Sequence, residues 1–131
     1  MSRTAFGILH RELGKRLVAG RLVVVDATNL TEAARVALLR RAGAASVPAI
    51  AIVLVPPAAV VHARNAARPG RVVPADVVDR QLAAAAALGT NADDIAARLR
   101  AEGFAAVHVL ETPDAIDGLT ILRSPRPSHP R

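Results

Sequence analysis

Two groups of residues in this chain have the types and spacing that handle phosphate. Asp26, Thr28 and Asn29 follow the run Leu22-Val23-Val24-Val25 and stand just before a helical pattern. Carboxylate oxygens are hard ligands, so Asp26 could hold a Mg²⁺ ion, directly or through water. Thr28 and Asn29 could contact a phosphate or a hydroxyl, helped by the free amides of the helix start. The second group lies in HARNAARPGR, with Arg64 and Arg68 four residues apart and Arg71 beyond the turn. That spacing puts the first two guanidiniums on one helix face, where they could clamp a polyphosphate. Each residue read alone has a plainer account. Asp26 could serve only the next loop, Thr28 and Asn29 could be cap residues, and the arginines could form a solvated face.

Other chemistries find little support. His10, His62, His108 and His129 are scattered without ligand spacing, and there is no cysteine. Disulfides and thiolate metal sites are therefore excluded, and a cytoplasmic protein is expected. The sequence contains no Gly-x-Ser-x-Gly elbow and no Gly-x-x-x-x-Gly-Lys-Ser/Thr phosphate loop. Net charge is +6, carried almost wholly by arginine, which suits phosphate-bearing partners but also matches a plain Arg-for-Lys bias. Aromatics are 2% of residues, too few for stacking platforms along single-stranded nucleic acid. No apolar run nears the roughly 18 residues of a membrane span, so no membrane partner is expected. Apolar residues reach 52%, yet many are alanine, so the core should be thin.

The elements that must position these groups alternate. The apolar spacing of Phe6, Leu9, Leu13 and Leu17 predicts a helix over 4–19, stopped near Gly20. Residues 22–25 read as an interior parallel strand, since they are apolar at every position. A helix follows over 31–42, with Thr31 as its cap. Residues 47–55 read as a second buried strand. Helices are expected over 58–67, from Pro74 to about 87, and over 93–102. A third strand is expected over 105–110 and a fourth over 119–122. Residues 1–123 form one domain on this reading, and 124–131, rich in proline, form a disordered tail. The layout is α/β, with a parallel sheet flanked by helices.

Three blocks together resemble the kinase domain of 5'-polynucleotide kinases of the bacterial RNA-repair and phage type, which are P-loop phosphotransferases. VVVDATNLTEAAR resembles that family's apolar strand, its Asp-Thr-Asn motif and the helix after it. RNAARPGRVVPADVV resembles its lid, and EGFAAVHVL its closing strand. The resemblance runs from the helix before Gly20 to about Arg123. It implies a three-layer P-loop NTPase-like fold of the nucleotide-kinase kind. It also implies transfer of the ATP γ-phosphate to a 5'-hydroxyl of RNA or DNA with Mg²⁺. By position, Arg64 and Arg68 would be catalytic lid arginines on the ATP phosphates, assisted by Arg71. Thr28 and Asn29 would line the acceptor side, and Asp26 would touch the metal indirectly.

The family's opening strand, phosphate loop and Asp-x-x-Arg element have no counterpart here. The expectation is therefore a truncated kinase-like domain, inactive alone, because loop amides and lysine bind ATP and the acid takes the acceptor proton. The missing strand would lie between 22–25 and 50–54. Either those strands pair directly, or a second copy or preceding segment fills the gap, or the fold is marginal. Two other functions fit the same residues: a related P-loop kinase of a small molecule, and a non-catalytic module holding nucleic acid or a partner chain through its arginines.

Overall fold

In a computed structural model, residues 3–122 are described. Six helices and two strands occur among them: α1 (Arg3–Val18), α2 (Glu32–Ala44), β1 (Ile50–Leu54), α3 (Ala58–Ala66), α4 (Ala75–Ala86), α5 (Ala92–Glu102), β2 (Ala106–Leu110) and α6 (Pro113–Asp117). The expected tail over 124–131 lies outside the described residues.

Local chemistry explains most boundaries. The Thr31 hydroxyl accepts from the Ala34 amide, and Asn91 and Thr112 do the same for Asp94 and Ala115. Each satisfies an amide that the first helical turn leaves open. Pro74 stands at the cap position of α4, and Gly103 ends α5 at φ 124°, a conformation that costs a side chain but not glycine. Gly89 matters for a different reason. A Cβ there would lie 2.8 Å from both Asp94 Cβ and Ile95 N, so the turn into α5 closes only without one.

The sheet is small: β1 and β2 pair in parallel, Ile50 opposite Ala106 through Leu54 opposite Leu110. Ala105 N–H adds a bond to Ala49 and Val55 N–H one to Leu110. The α5 helix covers one face. Leu88, Ile95, Ala96, Leu99 and Val107 form the buried cluster, with Ala51, Val53, Val55, Phe104 and Val109 packed on it. This is the thin core that an alanine-rich composition dictates. The other face is open: Ile50, Ile52 and Leu54 are 59%, 46% and 52% exposed.

Three strand expectations are corrected. Residues 22–25 make no ladder among the described residues, and Leu22 and Val24 are exposed. An apolar run becomes an interior strand only if neighbours on both sides supply hydrogen bonds, and among the described residues none does. Nor do these residues pair directly with β1, whose partner is β2. Residues 119–122 likewise form no strand. The 47–55 run shortens to 50–54, half-buried on one face and exposed on the other. Residues 113–117 form a short helix, α6, in a stretch where no element was expected.

Candidate functional site

Residues 26–31 lead from the apolar 22–25 run into α2, and a buried arginine sets their shape. Arg35, in the first turns of α2, donates from Nε to Glu102 Oε2 at 2.7 Å and from Nη2 to Glu102 Oε1 at 2.6 Å. Its Nη1 donates to the carbonyls of Asn29 and Leu30 at 3.0 and 2.9 Å. The two side chains are 5% and 9% exposed, so each charge depends on the other for the solvation it has lost. The hydrogen bonds from Arg35 hold the Glu102 carboxyl below its usual range, against a smaller opposing effect of burial. The same bonds raise Arg35. One ion pair thus fastens the loop to the far end of α5. Asn29 needs that restraint, because its φ is 44°, a left-handed conformation that asparagine tolerates better than most residues.

Two open clefts flank this loop. Asp26 lines the first, with Val23 to Val25 and the α1 residues Leu9, Glu12, Leu13 and Arg16 among its walls. Glu12 bonds Lys15 at 3.0 Å, which holds its carboxyl below the ordinary range. Thr28 and Asn29 line the second cleft, about 400 Å³, together with Phe6 of α1 and Val77, Arg80 and Gln81 of α4.

The arginine segment is organised by Asn65. Its side-chain amide donates to the Val73 carbonyl at 2.8 Å, and its Oδ1 accepts from the Val73 amide at 3.0 Å. This two-way clasp closes the turn between α3 and α4 that carries Arg68 and Arg71, with Gly70 at φ 88°. His62 and Asp79 join the same two helices at 2.9 Å. Arg64 bonds Asp117 of α6 at 3.0 Å, both side chains largely solvated. Arg68 and Arg71 are exposed and make no ion pair among the described residues. The structure therefore brings Thr28 and Asn29 into one cleft and places Asp26 in the other. Arg64, Arg68 and Arg71 line neither.

The AAA domain family matches residues 2–88, from α1 to just past the end of α4. The chain belongs to that family. No curated protein matches it. Membership makes this AAA domain a P-loop NTPase-like, nucleotide-binding type of chain, and such domains generally bind ATP and Mg²⁺.

The residues present fit those two ligands only in part. Arg68 and Arg71 have the charge for phosphate, but no described cleft joins them to Asp26. Among the described residues, no cluster of three His, Cys, Asp or Glu could cage a metal. Mg²⁺ demands near-ideal octahedral oxygen ligands, so one exposed carboxylate does not make a site. No described helix is long and apolar enough to cross a membrane.

The residues whose roles the sequence concealed are Arg35, Glu102 and Asn65. A signal for the first existed. Arg35 stands three and four residues before Leu38 and Leu39, on the same helix face. A charge at such a position needs a partner, and Glu102 is that partner.

Proposed function

We propose that this AAA domain is the lid-bearing part of a polynucleotide 5'-kinase, of three-layer P-loop type and cytoplasmic. Arg64, Arg68 and Arg71 engage the phosphates of ATP, and Thr28 and Asn29 face the acceptor 5'-hydroxyl of RNA or DNA. The family match over residues 2–88 is the observation that carries the reading as far as nucleotide phosphates. The finer reading rests on the Arg-Asn-x-x-Arg and Val-Pro-x-Asp blocks, in which Asn65 clasps Val73 and sets Arg68 on an exposed turn.

These 131 residues contain no Gly-x-x-x-x-Gly-Lys-Ser/Thr, so alone they bind ATP weakly and transfer no phosphate. The open β1 edge would be completed by another strand, from a second copy or a further segment. Titration with ATP and 5'-end labelling of an RNA oligonucleotide test the proposal. Weak ATP binding, reduced about tenfold by Arg68→Ala with no labelling, is the expected result. Labelling by the chain alone, abolished by Arg68→Ala, would overturn its inactivity. ATP binding indifferent to Arg64→Ala and Arg68→Ala would overturn the lid assignment.

A further inference from the structure

The second cleft collects side chains that the fold itself does not use. Thr28, Asn29 and Gln81 line it, and none of their side chains has a hydrogen-bond partner among the described residues. Asn29 is half-buried, and its amide is open to solvent and free to meet a ligand. Phe6 supplies an aromatic wall; its ring lies 5.3 Å from that of His10 on the same helix. Ala34, Val77 and Ala84 add apolar lining. At the rim, Arg80 bonds Asp76 at 2.9 Å, with both side chains more than two-thirds exposed. Such a pair holds weakly and can be exchanged for another anion.

An aromatic side chain beside small apolar ones suits a planar ring. Two amides and a hydroxyl in the same lining offer both donors and acceptors, which is the pattern a base edge requires. A guanidinium at the mouth adds an anion partner. The volume, about 400 Å³, lies within the ~300–1,000 Å³ usual for small-ligand clefts. We infer that the cleft between α1, the 27–31 loop and α4 binds the base of a nucleotide. Asn29 and Gln81 read the base edge, Phe6 packs on its face, and Arg80 meets its phosphate. Arg35 is a positioning residue here, since its bonds to the Asn29 and Leu30 carbonyls fix how Asn29 is presented. The inference deepens the proposed acceptor side and shares its assumption that Thr28 and Asn29 face a nucleotide.

The test is amide-resolved NMR titration of the full chain with each of the four ribonucleoside 5'-monophosphates and with ribose 5-phosphate. At least one nucleotide is expected to shift Thr28, Asn29 and Gln81, and ribose 5-phosphate to bind at least tenfold more weakly. Gln81→Ala, on an exposed helix position, should weaken the nucleotide about fivefold and leave ribose 5-phosphate unchanged. Asn29→Gly keeps the left-handed backbone and should do the same. Arg80→Ala should weaken both ligands alike. Equal binding of ribose 5-phosphate, no binding of any nucleotide, or wild-type affinity in Gln81→Ala and Asn29→Gly would overturn the proposal. Shifts confined to residues 64–71 would overturn the cleft assignment while leaving the lid reading intact. Cleft binding in a chain whose ATP affinity ignores Arg64→Ala and Arg68→Ala would do the reverse.

Discussion

Arg35 is the residue on which the candidate site turns, and it touches no candidate ligand group. It spans α2, the loop and α5 with four hydrogen bonds from one guanidinium. Breaking such a pair from one side strands a buried charge. Arg35→Met or Glu102→Leu is expected to cost about 3–5 kcal/mol by chemical denaturation, and the double replacement distinctly less than the two added together. The pH dependence follows from Glu102. Its carboxyl titrates below the unfolded value in the folded protein. Its contribution is therefore fully present above the unfolded carboxylate range, near 4.3, and is lost as pH falls through the lower folded value. Denaturation midpoints measured from pH 6 downward should show a larger acid loss in the wild type than in Glu102→Gln. Type and spacing single out Asp26, Thr28, Asn29 and the arginines as candidates. Arg35 and Glu102 were visible only as parts of sequence blocks, because sixty-odd residues of chain separate two groups that one hydrogen-bonded pair joins.

Elements show where local pattern decides and where it does not. The helices α1 to α5 fall within a few residues of where apolar spacing and caps predict them, since a helix satisfies its own backbone. Strands depend on neighbours, and the 22–25 run has the composition of an interior strand without its ladder. The turn between α3 and α4 is a case where one side chain replaces a ladder. Asn65→Ala removes both bonds to Val73, each worth about 1 kcal/mol. Amide exchange at Val73 and through 66–72 should then rise at least tenfold, with little change in α5 or the sheet. Asn65→Asp keeps the acceptor for the Val73 amide and should fall between.

At the scale of the molecule, the sheet has one finished face and one bare one. Ile50, Ile52 and Leu54 are exposed side by side on alternate positions of β1, and the helix that shields the sheet lies on the other side. Contiguous exposed apolar surface of this kind drives association. Sedimentation at rising concentration is expected to show self-association, reduced by Ile52→Lys and Leu54→Lys. Because both side chains point away from the buried cluster, thermal stability should change by less than about 1 kcal/mol. A large loss of stability would mean that the face is covered in solution. The sequence marks these positions as apolar but cannot say which face a companion covers, since that depends on how many strands stand beside them.

The order of β1 and β2 along the chain has a consequence for synthesis. Residues 50–54 find their partner only at residues 106–110, after three helices have been made. On the ribosome, β1 must wait with both edges unpaired until nearly the whole described chain has emerged, which is when a bound chaperone would matter most. The same order separates kinship from foldability. A piece ending at residue 88 would keep all of the family-matched segment yet lack Ile95, Leu99 and Val107. Expressed alone, it should remain unfolded.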